Sequence, residues 1–439
     1  MPVNPAARRA RTCLAAFAAA ATLAACSAQE RGGGEAGPTE DRASAGVSAS
    51  PPPPGVPSTP AGAPSSAASS AATSAPISAP PPTPTRRPYH PDKEVWQRAQ
   101  PAHAQNLRNP LAERRWGVYR GPLEHTWSAY QAAGGETRRL LGRIALRPKA
   151  LWLGAWSGSP ERIGSVVEEY VANASGGDRR ALVQLAVFRM DPWEHAVCGR
   201  GPSRAAQEEY RRWISNAARA LGRQHAAVIV QPDLPFWWCS DRAVTSALIR
   251  HTVRAFSAQP HTSVYLDAGA ADWSSVPQRG APSPAQAAEL LLANGIEDAR
   301  GFALNATHYV GTAQSVAYGS ELVEILRERG VRGVHFVVDT AQNGNGMTWP
   351  EVDADGAVND NARVCGSTSD RRGCVTLGIP PTSRVGDPRW GLTGRTLRDA
   401  KRYVDGFLWF ARPWLHMQAH WRGPARALGM ARSTTWPAP

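Results

Sequence analysis

The sequence predicts an α/β fold in which seven parallel strands alternate with helices and close into a β/α barrel. Short apolar runs rich in β-branched and aromatic residues recur seven times between residues 150 and 411. Most intervening segments carry the three-to-four-residue apolar spacing of amphipathic helices. Strand–helix–strand repeats of this length build a parallel sheet, and their regularity favours closure over an open, doubly wound sheet, which is the alternative.

The strand candidates are "ALWLGAW" (150–156), "ALVQLAVFRM" (181–190), "AAVIVQPD" (226–233), "TSVYLDAG" (262–269), "RGFALNA" (300–306), "RGVHFVVDT" (332–340) and "DGFLWFA" (405–411). Between them, Ser159 and Pro160 open a helix with Ile163, Val166, Val167 and Tyr170 on one face. Ser203 begins a second that runs to Leu221, and Asp241 a third that ends near Phe256. Pro284 starts a helix through Leu292, and Thr312 one through Leu326. The stretch from Gly344 to Tyr403 breaks this rhythm and reads as a long loop region with one short helix.

The flanks divide the chain into three parts. Residues 1–26 have the form of a lipoprotein export signal, with Arg8, Arg9 and Arg11 before an Ala- and Leu-rich run too short to span a bilayer. The run ends at Cys26, the expected lipidation site; ordinary secretion with cleavage nearby is the alternative. Residues 27–89, rich in Pro, Ser and Ala, lack the apolar content to offset ordering entropy and read as a disordered tether. Residues 90–439 form the folded domain, placed by this reading on the outer face of the cell membrane and touching it only through the lipid.

Past Cys13 and Cys26, four cysteines remain, Cys198, Cys239, Cys365 and Cys374, an even number that suits two disulfides in an oxidising compartment. Metal binding is the other use of such residues, but no Cys-x-x-Cys or histidine cluster supports it, and no cofactor is expected. The net charge of +13 is carried by scattered arginines rather than by a basic stripe on a nucleic-acid-binding motif, so a nucleic-acid partner is not expected. Sixteen tryptophans against eight phenylalanines fit either core packing or stacking on sugar faces.

In a βα barrel the functional groups sit at the carboxyl ends of the strands. Those ends carry Asp191, Glu194, Asp233, Asp267, Asn305 and Asp339, with Trp193, Trp237, Trp238 and Trp273 close by. A lone acid after a strand is often a helix cap. Here Pro235 and the "FWW" run postpone any helix after Asp233, which points to chemistry instead. Acids of different environment flanking a sugar-sized cleft suit glycosidic bond cleavage.

Five motifs, in order, then resemble glycoside hydrolase family 6, the cellobiohydrolases and endoglucanases of β-1,4-glucan. "VIVQPD" stands for "VIEPD", "VYLDAGAADW" for "YLDAGHAGW", "GFALNATHY" for "GFALNVSNY", "FVVDTAQNGNG" for "FVVDTSRNGNG" and "DGFLWF" for "DAYLWI". The resemblance, from about Trp152 to Phe410, implies a distorted barrel of seven parallel strands and an inverting mechanism. Asp233 matches the general acid and Asp267 a structural, substrate-ordering carboxylate. Trp273 matches a sugar-stacking tryptophan and Trp156 would line an adjacent subsite, with core packing the alternative for both; Asn305, a substrate-binding candidate, falls with Asp339 at motif positions that suit scaffolding more than chemistry. Cys198 and Cys239 match a disulfide that ties the loops of strands two and three, and Cys365 with Cys374 would close a local loop.

The departures lie at the chemistry. The family's second strand ends in Pro-x-Arg-Asp-Cys, but Val197 precedes Cys198 here, leaving Glu194 or Asp191 to assist Asp233. The family's base lies in "KPPGESDG"; this chain has "ARPWLHMQA", with Met417 at that place and no carboxylate after Asp405. Gln231, Ala270 and Gln342 replace the family's Glu, His and Arg. Asp387 on the long loop is a further candidate base. The resulting expectation is a monomeric, endo-acting β-1,4-glucanase at the cell surface; the alternative is a catalytically impaired β-glucan-binding protein.

Overall fold

A computed structural model describes residues 98–190, 201–273, 283–354, 359–370 and 373–436. The expected strands are all present: β1 Leu151–Gly154, β2 Val183–Phe188, β3 Ala226–Val230, β4 Thr262–Asp267, β5 Gly301–Leu304, β6 His335–Asp339 and β7 Val404–Leu408. They form one sheet in sequence order, and every neighbouring pair is parallel. β1 and β7 share no ladder among the described residues. The seam is crossed instead by the Ala150 N–H donating to the Trp409 carbonyl at 2.9 Å and the Trp152 indole donating to the Phe410 carbonyl at 2.5 Å. This open seam is the distortion of the barrel.

Period-two alternation sorts the strand residues into two cores. Ala227 and Ile229 of β3, with Tyr265, Ala303, Val337 and Leu408, pack inside the barrel. Val228 and Val230, with Leu266, Leu304 and Val338, face the helices. Interior positions carry small side chains where strands crowd. At Gly301 an added Cβ would lie 1.6 Å from the His335 carbonyl oxygen, so glycine alone fits this pairing.

Ten helices are described. α1 (His125–Ala132) and α2 (Gly135–Ala145) precede the barrel; α3 (Ile163–Ser175), α4 (Arg204–Leu221), α5 (Arg242–Ser257), α6 (Pro284–Ala293) and α7 (Thr312–Glu328) are crossovers. α8 (Trp349–Ala354) and α9 (Gly394–Tyr403) lie between β6 and β7, and α10 (Ala425–Ser433) follows the sheet. The caps read from sequence hold: the Ser203 hydroxyl accepts from the Ala206 N–H and the Asp241 carboxylate from the Val244 N–H. Among its described residues the region from 344 to 403 contains two α-helices rather than one, because α9 buries little besides Ala400 and its Arg- and Lys-rich sequence hides its apolar face. After β7, α10 packs Ala427 and Met430 into a third core with Leu141 and Ile144 of α2.

The amino end of the barrel is closed by a buried polar cluster. Asp405, wholly buried at the start of β7, receives a bidentate pair from Arg300 at 2.8 and 2.9 Å, the Tyr265 hydroxyl at 2.8 Å and the Asn106 amide at 2.9 Å. This fourfold satisfaction offsets the desolvation of the carboxylate and joins β4, β5 and β7 to the segment ahead of α1. Asp405→Ala strands a buried guanidinium and should lower the unfolding free energy by about 3–5 kcal/mol in a urea titration. A loss below about 1 kcal/mol would contradict the role given to this cluster.

Candidate active site

The carboxyl end of β3 builds the site. After Val230 the chain turns through Gln231 and Asp233, both in the left-handed region at φ 52° and 67°, around Pro232. Side chains resist that conformation by about 1 kcal/mol or more each, so surrounding contacts must hold it. The Gln231 N–H donates to the Val187 carbonyl at 2.8 Å, and the Asp233 N–H donates to Asp267 Oδ2 at 3.0 Å. Gly269 at φ 78° lets the loop after β4 close against this turn, its Cβ position lying 2.9 Å from Pro235.

Asp233 stands at the N-terminus of the 3₁₀ turn Leu234–Cys239, yet its side chain caps nothing. Its Oδ1 accepts instead from the Thr307 hydroxyl at 2.8 Å, across the barrel rim at the end of β5. Burial pushes the Asp233 carboxyl up to about 6; the Thr307 donor opposes this, the nearby Asp360 adds to it, and His308 offsets part. Asp267 is fully buried, and burial together with the Asp233 charge holds it well above the usual carboxylate range, against the backbone amides of Asp233, Gly269 and Leu234. Two neighbouring carboxyls with raised affinity for protons are thus set side by side.

Beside them lies an aromatic and imidazole stack. The His308 ring is 4.0 Å from Trp349 at an interplanar angle of 3°, and 4.9 Å from Trp273 at 17°. His308 Nδ1 is 2.7 Å from Asp272 Oδ1, and the other oxygen of Asp272 accepts from the Trp349 N–H at 2.9 Å. Phe236 meets Trp273 edge-on at 5.4 Å. Asp360, half-buried in the short turn Asn359–Asn361, completes the charged surroundings of His308 and Asp233, and burial raises its carboxyl affinity for protons. None of Asp272, His308 and Asp360 was singled out from sequence. The signal available was the placement of Asp272 and His308 in two motifs whose family forms carry Gly and Asn there.

A cavity of about 570 Å³ opens at the ends of β1 and β7. Its lining includes Trp152, Trp156, Lys149, Glu124 and Arg412, and Trp156 is 56% exposed. The Arg412 guanidinium lies 4.1 Å from the Trp152 ring centroid, and burial lowers it to about 10. Lys149 and Glu124 form a buried pair at 3.2 Å.

The sequence-derived residues therefore fall into several places. Asp233 and Asp267 meet at the rim, with Trp273 on the stack beside them. Trp156 faces the cavity. Asn305 is fully buried; its amide donates to the Val310 and Asp339 carbonyls and its oxygen accepts from the Val310 N–H, so its side chain serves the backbone rather than a cleft. Asp339 likewise accepts from the Ala341, Phe410 and Ala411 amides at 2.5–2.7 Å. Asp387 is committed to Arg389 through two bonds at 3.0 and 2.8 Å and held down at about 2, which makes it a poor base. Trp237 turns inward and donates to the Ser246 hydroxyl, leaving Phe236 as the exposed member of its run. Cys365 and Cys374 form a disulfide. Cys239 is disulfide-bonded as well. Asp191, Glu194 and Cys198 lie outside the described residues. No group of three His, Cys, Asp or Glu among the described residues is arranged to hold a metal ion.

The pattern of glycosyl hydrolases family 6 matches residues 118–390, and the chain belongs to that family. It is 31% identical over 232 residues to Endoglucanase A of Cellulomonas fimi, a match covering 52% of this chain and 47% of that protein. Endoglucanase 1 of Streptomyces halstedii is 32% identical over 232 residues, covering 50% of this chain and 66% of its own. The chain thus spans about half the length of the first relative and just under two thirds of the second. Among solved structures, the endoglucanase Cel6 of Mycobacterium tuberculosis, in complex with methyl-cellobiosyl-4-deoxy-4-thio-β-D-cellobioside, aligns with a TM-score of 0.56 at 26% identity. That alignment covers 74% of this chain and 99% of the other. The family 6 enzyme of Orpinomyces sp. Y102 shares the fold at a TM-score of 0.53 and 16% identity, over 73% of this chain and 97% of its own.

Carbon-13 NMR of the Asp233 carboxyl should show a titration near pH 6, and Thr307→Val should move it upward, because the lost donor favours the ionised form. A midpoint near the ordinary aspartate value of about 4 would contradict the burial described here.

Proposed function

We propose that this protein is an endo-acting β-1,4-glucan hydrolase that works by inversion, with Asp233 as general acid. The observation that carries the reading is the Asp233 carboxyl, held at about 6 on the rim of a family 6 barrel where a proton donor to a glycosidic oxygen is required. At pH 5–6 a substantial fraction of such a group is protonated, whereas an ordinary aspartate would be almost wholly ionised. Trp273 and Phe236 offer faces for sugar on one side, and Trp156 with the cavity at the end of β1 does so on the other. Asp267 orders the acid through its backbone amide. Asp191 and Glu194 follow β2, whose end neighbours that of β3, and either would assist Asp233.

Support for the substrate class comes from the endoglucanase relatives and from the cellobioside-type ligand bound by the Mycobacterium tuberculosis protein. In this reading the chain carries an export signal ending at Cys26, a tether over 27–89 and a folded domain over 90–439, and works as a monomer at the outer face of the membrane on a cell-surface glucan or related β-glycan. No described helix is long and apolar enough to cross a membrane. In this reading the attachment is the lipid on Cys26. Met417 at the place of the family's base favours a second reading, a β-glucan-binding protein with little turnover.

The full chain should release reducing sugar from soluble β-1,4-glucan, with activity falling as pH rises past about 6 because Asp233 loses its proton. Asp233→Asn should lower kcat by about 10²–10⁴-fold while cello-oligosaccharide binding changes little. Binding without turnover, indifferent to that substitution, would favour the second reading.

A further inference from the structure

Inversion needs a proton acceptor for the attacking water, on the sugar face opposite the acid. The sequence lacks a carboxylate where the family motif has one, because Met417 stands there and no Asp or Glu follows Asp405. The fold brings another carboxyl to that neighbourhood. The turn Asn359–Asn361 is fastened to the segment after β7, where the Met417 N–H donates to Asn361 Oδ1 at 3.4 Å. Met417 and Gln418 adopt left-handed φ values of 50° and 51° at this junction. One residue beyond the turn, the Ala362 carbonyl accepts from Arg426 of α10 at 2.9 Å, and the Tyr309 hydroxyl bears on the same carbonyl. Asp360 is therefore held by its neighbours in the chain, not by its own side chain.

That side chain is uncommitted. Among the described residues no hydrogen bond or ion pair is made by the Asp360 carboxyl, in contrast to Asp387 on Arg389, Asp405 on Arg300 and Asp339 on three amides. Its electrostatic neighbours are Asp233, His308 and Tyr309. His308, the electrostatic neighbour of both acids, is fixed by Asp272 and by the flanking indoles.

We propose that Asp360 is the general base of this enzyme, replacing the carboxylate that the segment after β7 does not supply. The proposal rests on the hydrolase reading above. In the step, the water oxygen bonds to the anomeric carbon as the bond from that carbon to the leaving oxygen breaks. One water proton passes to Asp360, and the Asp233 proton passes to the leaving oxygen. Asp360 then releases its proton to solvent and Asp233 takes one up, so no further reactant is needed.

The test compares the full chain with Asp360→Ala, Asp360→Asn and Asp233→Asn on soluble β-1,4-glucan and on 2,4-dinitrophenyl β-cellobioside, whose leaving group needs no proton. The Asp360 variants should lose about 10²–10⁴-fold in kcat on both substrates with KM nearly unchanged. Added azide should restore turnover of Asp360→Ala by forming a glycosyl azide. Asp233→Asn should lose activity on the glucan alone. The isosteric Asn variant, with its melting temperature measured, separates loss of the base from loss of the fold. Asp360 variants within about threefold of the parent, beside an inactive Asp233→Asn, would overturn this assignment and leave the hydrolase reading standing. A loss in both stably folded Asp360 variants without azide rescue would also overturn it. An inactive parent chain would overturn both.

Discussion

The buried carboxylate of Asp267 holds the rest of the site in register. It lies at the end of β4, excluded from water, and its principal ligand is the backbone N–H of Asp233 at the end of the neighbouring strand. That bond fixes a left-handed residue next to a proline, a geometry with no intrinsic stability of its own. With the backbone so held, the Asp233 side chain is carried away from helix capping and toward Thr307 on the opposite side of the rim. The same proximity lets the Asp233 charge raise the proton affinity of Asp267, while Asp233 itself is raised chiefly by burial, with a smaller part from Asp360. Removing Asp267 would therefore disturb the direction in which Asp233 points.

The barrel was legible because its signals are local. Seven β-rich runs became seven strands, and Ser203 and Asp241 became the caps their positions suggested. Asp233 was legible too, since the proline and aromatic run after it announce a turn rather than a helix. What the sequence hid depends on long-range placement. Asp360 lies over a hundred residues from Asp233 along the chain, in a segment without periodicity, and only the fastening of its turn to Met417 and Arg426 brings it near. Asp387 looked equally available in sequence, but Arg389, two residues away, claims it. Asn305 and Trp237 read as site residues, yet their polar groups are spent on the backbone and on Ser246.

The departures from the family motifs cluster in space. Ala270 removes a histidine from the loop after β4, while His308 adds one after β5, and Asp272 in that first loop is its partner. Gln342 replaces an arginine and donates instead to the His308 carbonyl at 2.8 Å. Met417 loses a carboxylate, and the turn carrying Asp360 bonds to its amide. A set of changes that exchange partners across one rim is better described as a rearranged site than as a decayed one. The proposed mechanism depends on that distinction, because a decayed site would have little need to keep a desolvated, uncommitted carboxyl beside its acid.

In the proposed mechanism acid and base act from opposite faces of the sugar ring. The direct measurement is proton NMR of the first products released from a soluble cello-oligosaccharide, taken before the anomers equilibrate. Inversion of a β-linkage gives the α-anomer as the initial product, with the β-anomer growing in only by mutarotation. Initial release of the β-anomer would show retention, and would contradict the division of roles between Asp233 and its opposing base.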